Sequence, residues 1–127
     1  MYPSDLKYDE QHEWVRVEGD VAVIGISHFA QHQLGEVVYV DLPSEGDSVN
    51  AGEAFGEIES VKSVSELYSP ADGDIVKVNS ALSDSPETVN EDPYGEGWMI
   101  QIKLADPSQL DTMLSAEEYE AFVTEEA

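Results

Sequence analysis

Between His12 and Leu104 the chain is cut into short β-prone runs by turn residues, and this punctuation restricts the fold more than any other feature. His12–Glu18 (HEWVRVE) and Val21–Ile26 (VAVIGI) stand on either side of Gly19-Asp20 and read as a hairpin. Ser27 has the chemistry of a helix cap, so a short helix is expected to run to Leu34, with Gly35 as its stop. Further strands are expected at Glu36–Leu42, Ala54–Ser60, Ser63–Ser69, Asp74–Val78 and Trp98–Leu104. Pro43–Gly46 and Pro70–Gly73 supply turns, while Ser80–Gly97, with two prolines and two glycines, reads as a long polar loop. Many short strands with little helix among them imply a mainly β fold, a sandwich or flattened barrel.

The C-terminal segment changes character. Asp106-Pro107-Ser108-Gln109 places a cap before a proline at the first helical position, and Ser115-Ala116-Glu117-Glu118 repeats a capping box. Two short helices are expected over about 106–124, docking through Leu110, Met113, Leu114, Tyr119 and Phe122. The 127 residues suit one domain, with a β core over about 11–104. A faint internal echo, Gly46-Asp47-Ser48-Val49 and Gly73-Asp74-Ile75-Val76, flanks the segment around Lys62 and suggests two related half-sheets.

Composition excludes several kinds of chemistry. The chain has no cysteine, hence no disulfide framework, thiolate nucleophile or Cys-type metal site. His28 and His32 are spaced to share a helix face, but two imidazoles make a weak metal site, and all three histidines read as surface residues with no metal. No apolar run reaches the roughly 18 residues of a membrane helix, and Met1–Asp5 has neither the basic start nor the apolar stretch of a signal peptide, so a cytoplasmic protein is expected. Twenty-eight acids against five bases give a net charge of −23. Nucleic acid is excluded as a partner, because phosphates need a basic surface. Such a surplus repels itself unless salt screens it, so a salt-rich, halophilic cytoplasm is expected.

One lysine stands out. Lys62 is the only basic residue between Arg16 and Lys77, and only Val61 and Lys62 separate two expected strands. A side chain at so tight a reversal projects into water from a rigid base, the usual way a scaffold presents a reactive group.

The stretch GEIESVKSVSELYSPADGDIVKVN resembles the lipoyl-attachment region of the glycine cleavage system H-protein family. His12-Glu13-Trp14-Val15, Gly25-Ile26, Ala30-Gln31, Leu34–Val38 and Val89-Asn90-Glu91-Asp92-Pro93-Tyr94-Gly95-Glu96-Gly97-Trp98 match further family blocks in order, covering nearly the whole chain. The resemblance implies a lipoyl/biotinyl-carrier-like sandwich with accessory helices, and lipoate covalently attached to Lys62. It implies a non-catalytic carrier, a monomer, that shuttles an aminomethyl intermediate from a pyridoxal-phosphate glycine decarboxylase to an aminomethyltransferase and electrons to dihydrolipoyl dehydrogenase. A lipoate-attaching enzyme is a further implied partner. In the family, carboxylates near the H-E-W motif and just after the lysine are thought to hold the loaded arm in a surface cleft; the matching positions are Glu13 and Glu66. The family often has Asp at the position of Glu66 and His at that of Gln33, so the cleft contacts of Glu13, Gln33 and Glu66 stay open.

Four other readings compete. A biotin carrier uses a similar lysine, usually between methionines, whereas Lys62 lies between Val61 and Ser63. A lipoyl relay would pass its group to 2-oxoacid dehydrogenase complexes. A hydrolase would use Glu57 and Glu59, roughly 7 Å apart along one strand. A plain acidic interaction module would leave Lys62 unmodified.

Overall fold

A computed structural model describes residues 2–126. In chain order the elements are β1 (Lys7–Tyr8), β2 (Glu13–Glu18), β3 (Val21–Ile26), α1 (His28–Leu34), β4 (Val37–Asp41), β5 (Ser48–Val49), β6 (Ala54–Ser60), β7 (Val64–Tyr68), β8 (Gly73–Val78), α2 (Ala81–Asp84), α3 (Thr88–Glu91), β9 (Ile100–Leu104), a 3-10 helix (Pro107–Thr112) and α4 (Ala116–Glu126). Six strands form one sheet in the order β1-β2-β3-β9-β8-β5, and three form the other in the order β4-β6-β7. The expected β sandwich is present, as two open sheets rather than a closed barrel.

The large sheet is covered on both faces. Val15, Ile24, Ile26 and Ile102 pack toward the small sheet, with Val40, Ile58 and Leu67 opposite. Trp14, Val23 and Tyr8 face the other way, onto Tyr119 and Val123 of α4. This double burial explains why VAVIGI is apolar throughout instead of alternating. Trp14 lies across from Gly25 in the β2–β3 register, and a Cβ on that glycine would stand 2.7 Å from the indole, so only glycine leaves room for the ring. The indole N–H donates to Pro93 O at 2.9 Å and fastens the 80–97 segment to the sheet.

That segment differs from the expected loop. It holds the two short helices α2 and α3, each sinking one apolar side chain, Leu82 or Val89, into the core. Their single turns lie below the length at which a periodic pattern stands out, which is why the prolines and glycines dominate the sequence signal. The first expected C-terminal helix is a 3-10 helix, capped by Asp106, whose side chain accepts from Ser108 N at 3.1 Å. The second follows its capping box: Ser115 Oγ accepts from Glu118 N, and Glu118 returns a carboxylate to Ser115 N. Leu110 and Tyr119 of the expected docking face are buried, with Met113, Leu114 and Phe122 half-buried.

Two strands of only two residues each, β1 and β5, escape pattern reading, so the β core starts at Lys7 rather than near residue 11. The two Gly-Asp-x-Val segments pair with each other, Ser48 opposite Asp74 and Val49 opposite Gly73. Among the described residues no helix is long and apolar enough to cross a membrane.

Candidate functional site

The β6–β7 hairpin carries Val61-Lys62-Ser63 at its tip. Ser60, the last residue of β6, is buried and organises the turn. Its backbone N–H donates to Ser63 O at 2.8 Å, and its hydroxyl oxygen accepts from both Lys62 N and Ser63 N at 3.2 Å. Val61 N donates to Glu36 O at 3.0 Å, tying the tip to the start of β4. The tip is thus fixed by four backbone donors, while Lys62 itself is exposed. Val61 and Val64 beside it are 66% and 59% exposed, so any protein that approaches the lysine meets an apolar collar. Ile58 and Ser60 point inward but Val64 points out, because the chain reverses at the tip.

The lysine side chain lies over Gly35, the residue that ends α1. A Cβ on Gly35 would come within 2.6 Å of Lys62 Cε. Gly35 has φ +81° and ψ −151°, a conformation open essentially to glycine alone. The preceding residue, Leu34, belongs to the wall of a cleft of about 520 Å³. Asn90 of α3 holds this shelf in place: its amide donates to Gly35 O at 2.7 Å and Gln31 Oε1 at 3.0 Å, and its carbonyl accepts from Val37 N at 2.9 Å. Neither Gly35 nor Asn90 was legible as a site residue from spacing, although both fall in blocks that carry the family resemblance.

α1, the entry to β2, the β6–β7 hairpin and Ile26 at the end of β3 wall the cleft. α1 contributes Phe29, Ala30, Gln33 and Leu34; the entry to β2 contributes His12 and Glu13; the hairpin contributes Ile58, Ser65, Glu66 and Leu67. The three residues expected beside the arm, Glu13, Gln33 and Glu66, therefore come together in one place. β7 is an edge strand. Since Ser60 and Ser63 are a bonded pair, the intervening pairs Glu59–Val64 and Glu57–Glu66 are non-bonded, and Val64 and Glu66 turn their backbone N–H and C=O toward the open edge.

The two glutamates have opposite surroundings. Glu13 is 1% exposed, so it is not an ordinary surface acid. Its Oε2 accepts a long bond from Tyr68 N at 3.4 Å, and among the described residues its Oε1 has no hydrogen-bond partner. Burial pushes the Glu13 carboxyl well above the ordinary carboxylate range, and the charge of Asp9 and a hydrogen bond to it add to the rise. Asp9 itself is raised by burial, partly offset by hydrogen bonds from Glu13 and Gln11. Glu66 is exposed at the mouth, where its hydrogen bond and charge push the Tyr68 phenol up.

Of the three histidines expected at the surface, His32 is exposed, whereas His28 and His12 are half-buried. His12 Nδ1 lies 2.8 Å from Tyr119 Oη, which in turn lies 2.6 Å from Ser27 Oγ. This chain of contacts joins α4 to the cap of α1 and braces the cleft from behind. His28 and His32 stack with ring centroids 6.2 Å apart. Among the described residues no group of three His, Cys, Asp or Glu side chains is arranged to hold a metal ion. Glu57 and Glu59 lie on the outer face of the small sheet, away from the cleft lining.

The chain matches the glycine cleavage H-protein family over residues 6–126. It is 53% identical over 123 residues to the glycine cleavage system H protein of Symbiobacterium thermophilum, covering 97% of this chain and 96% of that one. It is 55% identical over 124 residues to the H protein of Anaeromyxobacter sp. (strain K), covering 98% and 97%. The crystal structure of the H protein from Mycobacterium marinum superposes with a TM-score of 0.89 at 40% identity, covering 96% of this chain and 98% of that one. The chain belongs to the glycine cleavage H-protein family.

Proposed function

We propose that this carrier component of the glycine cleavage system bears a lipoyl group on Lys62, and that the cleft beside α1 shelters the loaded arm. The observation that carries the reading is the pairing of an exposed lysine on a rigid tip with a neighbouring cleft lined by Glu13, whose Oε1 is buried without a partner among the described residues. An attachment site must offer its amine to a modifying enzyme, and Lys62 does so. A shelter for a cationic amine must offer a buried acceptor, and Glu13 does so.

A lipoyl group joined to the Lys62 amine supplies a disulfide that takes up an aminomethyl fragment and two electrons. The chain's own residues have the remaining tasks. The Ser60 hydroxyl keeps the tip from folding back on the sheet. Gly35 gives the lysine methylenes a flat seat at the end of α1. Phe29, Leu34, Ile58 and Leu67 provide an apolar lining that excludes water, and Glu13 gives the amine a charge partner. Tethering keeps the cargo at a high effective concentration near whichever partner is docked. Those partners are the glycine decarboxylase, the aminomethyltransferase and the dihydrolipoyl dehydrogenase, and the bond-making steps are theirs. The family match does not favour the biotin-type or relay alternatives.

The test is glycine-dependent CO₂ release by the decarboxylase in the presence of this chain. Lipoylated wild-type protein is expected to stimulate it, and Lys62→Arg, which folds alike but offers no acylatable amine, is expected to be inert. Equal stimulation by both would overturn the reading.

A further inference from the structure

Glu13 does not sit in the cleft alone. The carboxylate of Asp9, in the turn between β1 and β2, accepts from Gln11 N at 2.9 Å and from Glu13 N at 3.0 Å. Asp9 also borders a second groove, of about 570 Å³, on the far side of this turn, and Gln11 lines both spaces. Two carboxyl groups therefore share the partition between two hollows, one of them opening on the arm cleft. The titratable groups that face the pair are His12 from the same turn, Tyr68 and Glu66 from β7, and Tyr119 from α4. Among the described residues neither a lysine nor an arginine acts on the pair, and the imidazole of His12 offsets part of the rise at Asp9.

Two adjacent carboxylates, one of them removed from water, are not both ionised in the absence of a cation. We propose that Asp9 and Glu13 form one acidic pair, which holds a proton while the cleft is empty and gives it up when the cationic amine of the loaded arm enters. This rests on the reading that the arm occupies the cleft. The exchange balances: one positive charge enters as ammonium and one leaves as a proton, with no bond made or broken at carbon or sulfur. Glu13 Oε1, unpartnered in the empty cleft, becomes the acceptor for the ammonium, and Asp9 is a positioning residue acting through Glu13. The directions of titration agree, both carboxyls being raised from the ordinary range. The amine is then held firmly above the pair's midpoint and loosens tenfold per pH unit below it.

The discriminating variant is Asp9→Asn. Its side-chain oxygen still accepts from Gln11 N and Glu13 N, so the turn is kept while the charge is lost. The experiment follows the side-chain carboxyl carbon of Glu13 by NMR in lipoylated protein, against pH, with the arm free and with it charged by decarboxylase and glycine. Expected in wild type is a Glu13 whose midpoint lies above the ordinary carboxylate range with the arm free and falls once the arm is charged. In Asp9→Asn the Glu13 midpoint is expected to fall by about one pH unit or more. A Glu13 midpoint indifferent to Asp9→Asn, or to charging, overturns the inference. The methyl signals of Ile58 and Leu67 separate the two levels. If they shift on charging while the Glu13 carboxyl does not, the pair has no role but the arm still occupies the cleft. If they do not shift, the arm is elsewhere and both readings fall.

Discussion

Replacing Gly35 by alanine tests how the protein aims its lysine. Two costs arise and they differ in kind. The backbone at φ +81° and ψ −151° lies in a region that costs a side-chain-bearing residue on the order of 1–3 kcal/mol. The new methyl would also stand 2.6 Å from Lys62 Cε, but that atom is near the free end of a flexible side chain and swings aside at small expense. Backbone strain therefore dominates, and the loss of stability is expected to be about 1–3 kcal/mol, a fall in Tm of several degrees for a domain of this size. Urea unfolding of the unmodified protein measures it. A double-mutant cycle with Lys62→Ala assigns the cause: strain in the backbone predicts a coupling energy under about 0.5 kcal/mol, whereas a clash with the lysine predicts that removing the lysine restores most of the loss. An alanine variant as stable as wild type, or one fully rescued by Lys62→Ala, would refute the argument that glycine is required by its own conformation.

Glu13→Gln is expected to stabilise the chain at about pH 8, where burial opposes ionisation of the native carboxyl, while abolishing shelter of the amine. Folding raises both Asp9 and Glu13, so their contribution is fully present below the ordinary carboxylate range and is lost as pH rises through the folded value. The advantage of glutamine should accordingly shrink toward about pH 4, and urea midpoints at the two pH values check the sign. Asn90→Ala leaves Val37 N, Gly35 O and Gln31 Oε1 without their partner, for an expected cost of about 1–3 kcal/mol by the same measurement. Net charge −23 predicts that Tm rises by several degrees between low salt and about 1 M KCl, where the Debye length falls to about 3 Å; a flat profile by calorimetry would remove the case for adaptation to salt.

The legible parts of the fold are those where local chemistry and tertiary context agree. Gly19-Asp20 between two β-branched runs specified the β2–β3 hairpin, and Ser115 with Glu118 specified the start of α4. β1 and β5 were hidden because two residues carry no period, and they pair only because Val15, Trp14, Gly73 and Asp74 offer them partners. α2 and α3 were hidden because each is one turn, stabilised by burying Leu82 or Val89 and not by propensity.

At the site, scarcity of lysine and the brevity of the reversal singled out Lys62, and the structure places it on an exposed tip. The depth of Glu13 was not legible, since nothing local distinguishes it among twenty-eight acids; it follows from β7 and α1 closing over that end of the six-stranded sheet, where Glu13 meets Tyr68 N. Asp9 and Asn90 were missed for different reasons. Asp9 bonds locally, to Gln11 N and Glu13 N, and nothing in its neighbourhood marks it among the many acids, while Asn90 reaches across 53 residues to Val37, which no spacing rule reports.

Intact mass of the chain isolated from its own cells, with wild type compared against Lys62→Arg, bears most immediately on the carrier role. The account predicts a wild-type mass raised by one lipoyl group and a variant at its bare polypeptide mass. A wild-type chain without the increment, or a variant that keeps it, would contradict the account.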